Sequence, residues 1–172
     1  MAGKQSLRDA LSDETELKLS CTDAKEEFSD ILTKMSNPLV ITELDLSRTP
    51  VSDEQAKTLS EILTRCERLQ VARFSDCHLS SLAACDIVDS LRTSKSLKEL
   101  DLSQNALDDQ FAFRLASFLR FNRSLQRLRL NSNMIRDSGC FDVAIALREN
   151  ESLKELDLLN NKIGAPGGQA IV

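Results

Sequence analysis

A single repeat period constrains this chain more than any other feature of it. The segment Leu97-Lys-Glu-Leu100-Asp-Leu102-Ser-Gln-Asn105-Ala-Leu107 follows the pattern LxxLxLxxNxL. A step of 28 forward meets Leu125, Leu128, Leu130, Asn133 and Ile135, and a second step meets Leu153, Leu156, Leu158, Asn161 and Ile163. Stepping back gives Leu69, Ala72, Phe74, Cys77 and Leu79, then Ile41, Leu44, Leu46, Thr49 and Val51. Five units hold one register without an insertion. A fixed period of this length is the signature of a stack of like turns, in which no turn buries its apolar face alone.

Within each unit the LxL alternation describes a short strand, with Leu44 and Leu46 inward and Glu43, Asp45 and Ser47 outward. Stacking places these strands side by side in a parallel sheet. Asn105, Asn133 and Asn161 stand where the chain leaves the strand, and an amide there can both donate to and accept from loop backbone. Thr49 offers only a hydroxyl, so the first of these loops is expected to be less regular. A second apolar pattern follows at helical spacing: Ala112, Leu115, Ala116 and Leu119 in one unit, with equivalents at Ala56, Leu59 and Leu63, at Ala84, Ile87, Val88 and Leu91, and at Cys140, Val143, Ala144 and Leu147. That spacing gives one face of a helix packed behind the sheet. Asp53, Asp109 and Asp137 fall near the helix starts, where carboxylates cap and suit the dipole, and Asn122 and Asn150 fall near the ends.

One strand and one helix in each long unit resembles the ribonuclease-inhibitor-like subfamily of leucine-rich repeats, over residues 39–172. That resemblance implies an α/β solenoid, a right-handed horseshoe arc with a parallel sheet on its concave face and helices on its convex face. The subfamily includes Ran GTPase-activating proteins, NOD-like receptors, and cytoskeletal and ciliary proteins, so fold alone does not assign a task. Upstream, Phe28, Ile31, Leu32 and Met35 match the helical core columns, while Leu17 and Leu19 resemble a strand one residue out of register. Residues 14–38 therefore read as a degenerate N-terminal capping repeat, and 1–13 as a leader, either a short helix or disordered. Residues 39–172 read as five repeats, the last truncated, since Ile171 and Val172 sit in core columns of a helix barely begun. The repeat array or further domains are expected to continue beyond Val172.

Charge and motifs narrow the function classes. The segment from Met1 to Asp30 holds four Lys/Arg against eight Asp/Glu, and the remainder is nearly balanced within a net charge of −5. With no basic stripe standing out, nucleic acid is not an expected partner. The start lacks an apolar h-region and no run is long enough to span a bilayer, so a cytoplasmic protein without membrane insertion is expected. Cys21, Cys66, Cys77, Cys85 and Cys140 make an odd set with no CxxC pair, which suits reduced thiols. His78, the single histidine, follows Cys77, but an inward column and a solvent-facing one should send the two side chains apart. Neither metal-ligand spacing nor a phosphate-cradling glycine motif occurs, and no cofactor is expected. Asp108-Asp109 reads as a helix cap instead of an acid–base pair.

Surface columns carry what functional signal there is. Asp45, Arg73, Asp101, Arg129 and Asp157 form one outward column on the concave face, and Glu43, Val71, Glu99, Arg127 and Glu155 the column beside it. With strands about 4.8 Å apart, these charges are read either as self-paired or as a mixed-charge docking surface for a protein partner. On the helix side, Phe113 and Phe141 share a column about 110° from the buried centre, at 100° per residue, and are expected either to wedge between helices, the reading favoured, or to form an exposed apolar strip that a partner covers. Phe121 is expected to be exposed. The reading these features favour is a non-enzymatic scaffold or adaptor that binds protein through Asp45, Arg73, Asp101, Arg129, Asp157, Glu99 and Arg127 and the adjoining loops. Resemblance supplies two alternatives. One is a GTPase-activating protein, for which Arg48 and Arg136 are the loop arginines. The other is a cytoskeletal, ciliary or axonemal component, since NPLVITELDLSRTPVSDEQA is similar to the repeats of tropomodulin-like proteins, which bind actin.

Overall fold

The computed structural model describes residues 17–20, 32, 35 and 40–171. Strand β1 (Leu17–Ser20) opens the chain order. It is followed by β2 (Ile41–Asp45), α1 (Asp53–Leu63), β3 (Val71–Arg73), α2 (Ser81–Leu91), β4 (Glu99–Asp101), α3 (Asp109–Phe121), β5 (Arg127–Arg129), α4 (Asp137–Leu147), β6 (Glu155–Asp157) and α5 (Ala165–Ile171). The strands form one parallel sheet in chain order, β1 to β6, with the helices behind it. From β2 onward the register is the sequence period itself: Leu44 faces Ala72, then Leu100, Leu128 and Leu156. This is an α/β solenoid of the expected kind. β1 departs from it. A bulge between Leu17 and Lys18 sets Leu19 opposite Leu44, out of the 28-residue register. Of the helix anticipated upstream, Leu32 and Met35 pack on the core; Ala24, Phe28, Ile31 and the leader lie outside the described residues.

Inward columns of the strands and helices merge into one continuous core, in which Leu44, Leu46, Phe74, Leu100, Leu102 and Leu130 are fully buried. Complete burial of such a side chain contributes roughly 1.5–3 kcal/mol. At the β6 end the equivalents Leu153, Leu156 and Leu158 are only partly covered.

Side-chain amides tie each turn to the one before. Asn105 Nδ2 donates to the carbonyls of Phe74 (2.9 Å), Leu102 (3.1 Å) and Ser103 (3.0 Å), and its Oδ1 accepts from the Cys77 and Leu79 amides. Asn133 and Asn161 repeat the arrangement, each reaching the carbonyl 31 residues back and the amide 26 residues back. Cys77 imitates half of it. Its thiol donates to the Leu46 carbonyl (3.0 Å), while the Val51 amide is taken by the Cys77 backbone carbonyl (2.9 Å). The next residue, His78, has φ 54, a left-handed conformation found in no other described loop at that position.

The loop at Thr49 is regular, contrary to expectation. Arg48, Asp76, Gln104, Ser132 and Asn160 all take positive φ at the same point of their turns, so Thr49 changes nothing in the backbone path. Asn122 and Asn150 also act differently from simple helix ends. Asn122 closes α3 in an extended conformation and reaches back through Nδ2 to the carbonyls of Leu91 and Ser94, while Oδ1 accepts from the Ser124 and Leu125 amides. Asn150, beyond the C-cap Arg148 of α4, makes the same side-chain bonds one turn later.

Helix starts are joined across turns as well. α1 has its own capping box, Ser52 with Gln55. Asp109, the first residue of α3, accepts instead from the Arg136 amide (2.7 Å) and the Ser138 hydroxyl (2.6 Å) at the start of α4, whose own N-cap Arg136 makes no side-chain cap bond. Asp137 likewise accepts from the Gly164 and Gly167 amides at α5. Close approach makes glycine necessary: a Cβ on Gly139 would stand 2.6 Å from Asp109 Oδ1 and 2.7 Å from Ala112 Cβ.

Truncating Asn105 to alanine leaves several loop groups unsatisfied at once. At about 1–3 kcal/mol per buried polar group, Asn105→Ala is expected to destabilise the protein by about 3 kcal/mol, as read from urea unfolding followed by circular dichroism. A loss below about 1 kcal/mol, the worth of a single exposed hydrogen bond, would show that the amide does not hold the turns together.

Candidate functional site

The outward columns of the sheet meet at Glu99. Its residue is only 5% exposed, and both carboxylate oxygens are occupied. Arg127 donates through Nε (3.1 Å) and Nη2 (3.0 Å) to Oε2, and Arg129 donates through Nη1 (2.7 Å) to Oε1. Arg73 Nε stands 3.3 Å from Oε1, and its Nη1 donates to Glu43. Asp45 and Asp101 lie further out, 3.9 Å from Arg73 and 4.0 Å from Arg129. Burial pushes the Glu99 carboxyl up, but hydrogen bonds from Arg129 and Arg127 and the charges of Arg129 and Arg73 outweigh it and hold the group below the ordinary carboxylate range. The Arg129 guanidinium is held above its ordinary value, chiefly by its hydrogen bond to Glu99.

Charges that alternate in sequence are therefore unevenly paired in space. The arginines of β5 turn back toward β4, although Glu155 and Asp157 face them across the β5–β6 ladder. Glu155 is exposed, and Asp157 accepts from the Leu159 amide (3.0 Å). Neither acid stands within 4.0 Å of a basic side chain among the described residues. Arg127 and Arg129 keep 42% and 40% of their side chains exposed. Around them lies an open depression of about 440 Å³, lined by Arg127–Arg129 and Lys154–Asp157. The aspartate column has a second task that its spacing did not reveal. Asp45, Asp101 and Asp157 each accept the amide two residues on, turning the chain out of the strand.

On the helix side the wedge expected of Phe113 and Phe141 is absent. The two rings are 63% and 43% exposed. Phe111 and Phe118, on the same helix as Phe113, fill the interior instead. The reason is the approach of α4 to α3 at Gly139 and Ala112, which leaves no gap for a ring from the flank. Phe121 is exposed at 59%, and the Arg92 guanidinium lies over its ring, 3.9 Å from the centroid. Cys77 is buried and His78 exposed, so the two do not meet. Burial pushes the Cys77 thiol up to about 12, against weaker lowering by backbone hydrogen bonds at Thr49 and Arg48. Cys66, Cys85 and Cys140 are also buried free thiols held in protonated form by burial; Cys21 lies outside the described residues. Arg48 sits in the loop after β2, while Arg136 caps α4 with its backbone. Asp108 caps α3 through Gln110 and Phe111. Among the described residues no group of three or more His, Cys, Asp or Glu could hold a metal ion. No helix there is long and apolar enough to cross a membrane.

A family model described as "Leucine Rich repeat" matches residues 93–110, 121–144 and 149–172. These segments coincide with the turns whose strand, loop and helix are laid out above. These segments are leucine-rich repeats, and the chain has the leucine-rich-repeat fold. Over 92 residues this leucine-rich-repeat chain is 33% identical to mouse (Mus musculus) "NACHT, LRR and PYD domains-containing protein 5", a match spanning 52% of the chain and 8% of that relative's length. Solved structures share its fold, a leiomodin and a tropomodulin domain among them. "Leiomodin-1 Actin-Binding Site 2 (ABS2)" has a TM-score of 0.73 at 19% identity, covering 86% of this chain and 87% of that one. The Caenorhabditis elegans tropomodulin C-terminal domain has a TM-score of 0.72 at 16% identity, covering 85% and 89%.

In this leucine-rich-repeat sheet, Glu99 holds together arginines from two neighbouring strands. Glu99→Gln removes the charge and keeps the shape. Breaking a fully buried pair costs about 3–5 kcal/mol; here the arginines are partly solvated, and the expected loss is about 1–3 kcal/mol near neutral pH. A carboxylate whose pKa is depressed by folding stabilises above its unfolded pKa and loses that contribution as pH falls through the folded one. The wild-type advantage over Glu99→Gln should therefore shrink below the ordinary carboxylate range. Equal stability of the two proteins at pH 7 in urea titrations would contradict this reading.

Proposed function

We propose that this protein is a binding module for another protein, without catalysis of its own, and that docking takes place at the β5–β6 end of the concave face. One observation carries this: Glu155 and Asp157 lack a basic partner among the described residues, beside two arginines that keep 42% and 40% of their side chains exposed. The remainder of the predicted surface is committed internally. Arg73 donates to Glu43, Glu99 accepts from Arg127 and Arg129, and Asp101 accepts from Ser103, so a partner gains little by competing for them. On β5 and β6 a partner presenting both signs of charge could pair with these four side chains, and charge-assisted bonds there would set its orientation. The leucine-rich repeat supports a binding role as a rigid, extended face.

A cytoskeletal role is the second reading. Its support is the likeness in fold to a leiomodin actin-binding site and to a tropomodulin domain. Localisation to the cytoplasm or the cytoskeleton belongs to the same proposal.

Glu155→Lys/Asp157→Lys alters two exposed or half-exposed side chains without touching the Glu99 cluster. In affinity capture with quantitative mass spectrometry, proteins retained by the wild type should be depleted on the doubly substituted protein, with circular dichroism unchanged. An identical retained set would remove this end of the concave face from consideration. Co-sedimentation with filamentous actin tests the second reading, which fails if the chain stays in the supernatant.

A further inference from the structure

The near balance of charge over the repeats conceals a segregation between the two rims of the solenoid. Consider the turns that lead from helix into strand, residues 64–70, 92–98 and 120–126. They carry seven Lys/Arg and a single acid, Glu67. The opposite rim, residues 47–54, 75–82 and 103–110, carries one Arg and five Asp/Glu. On the basic rim Arg65, Arg68, Lys95, Arg120 and Arg123 are exposed, and Arg92 is half-buried. None of the six has a carboxylate within 4.0 Å among the described residues, in contrast to the self-neutralised concave face.

Helix dipoles explain part of this. Arg92 and Arg148 are C-caps and Arg120 lies in the last turn of α3, where cations are favoured. They do not explain Lys95 and Arg123, which lie past the helix ends at equivalent points of successive turns. The backbone carrying these two is held fixed. The Ser94 carbonyl accepts from Asn122 Nδ2 (3.2 Å) and from the Ser124 hydroxyl (2.8 Å), joining the two turns directly. Between and beside them lie two adjoining clefts of about 400 and 280 Å³ that share Thr93, Ser94 and Lys95, and Phe121 borders the second. An exposed ring with a guanidinium over one face is a ready apolar platform within a positive field.

We propose that this rim binds an acidic, extended segment of a partner protein. Its carboxylates would lie along Lys95, Arg123 and the flanking arginines, and one apolar side chain would rest against Phe121. Charge complementarity favours an acidic ligand, the fixed spacing of the turns favours an extended one, and the exposed ring favours a peptide over a purely ionic chain. The concave-face reading is independent of this surface.

The test uses the full chain and a fluorescein-labelled peptide of alternating glutamate and serine with one central leucine, followed by anisotropy. Saturable binding is expected, weakening with salt as exposed ion pairs do. Lys95→Glu/Arg123→Glu should weaken it about tenfold or more, and Lys95→Gln/Arg123→Gln by less, with circular dichroism unchanged because both side chains are exposed. Phe121→Ala should weaken binding and leave the salt dependence as it was. Glu155→Lys/Asp157→Lys should leave binding unaltered. The proposal is overturned by absence of saturable binding, by equal binding to the charge-reversed rim, or by tighter binding of a single-stranded oligonucleotide than of the acidic peptide.

Discussion

From the third repeat on, each turn of this protein is held to its neighbour by a side-chain amide, buried or half-buried, that no strand or helix supplies. Stacking apolar columns gives the turns a reason to associate, but burial is indifferent to a small slip in register. Asn105, Asn133 and Asn161 remove that freedom, because each amide must find one carbonyl 31 residues back and one amide 26 residues back. Unmade hydrogen bonds inside a core cost more than made ones contribute, so the tie acts mainly by penalising every other alignment. On the other rim Asn122 and Asn150 impose the same condition. Everything the surface presents, from the charged columns to the helix flanks, inherits its spacing from these two rows.

Rigid spacing has an electrostatic corollary on the concave face. Glu99 is flanked on both sides by strands that offer arginine, and its oxygens are shielded enough that three guanidinium groups converge on them. Once the arginines of β5 have turned toward β4, they are less available to β6. The two acids of β6 are then left without a basic partner among the described residues. A periodic sequence thus produces an aperiodic surface. The distinction matters for recognition, since a uniform ladder would offer a partner no preferred position along the arc.

How much of this was legible beforehand depends on whether the feature repeats. Period, strand and helix positions, inward leucines and the exposure of His78 and Phe121 all follow from a column read five times over. β1 occurs once, so its bulge and its shifted pairing with β2 had no second instance to reveal them. The wedge expected of Phe113 and Phe141 fails because a helical wheel gives the direction of a side chain and says nothing of the distance to the next helix; Gly139 sets that distance. The irregular loop expected at Thr49 fails because the left-handed residue before it, Arg48, turns the chain without help from the following side chain. The convergence on Glu99 was hidden for a different reason: spacing in sequence treats the acid before and the acid after an arginine as equivalent, and burial does not.

The carboxylates at the first positions of α3 and α4 make the array directional. Asp109 caps the helix that follows its own, and so does Asp137, while α1, α2 and α3 are capped from within by Ser52, Ser80 and Asp108. Order at the starts of α4 and α5 is therefore handed along the chain from the N-terminal side, whereas the asparagine rows fasten a new turn backward onto the last. On a chain emerging from the ribosome the carboxylate for α4 or α5 is already in place when that helix forms, and each new asparagine closes on a loop already formed. Damage obeys the same polarity. A lesson for anyone recombining such turns is that a cut placed after Asp109 or Asp137 separates a helix from its cap, and the grafted neighbour must bring an aspartate of its own.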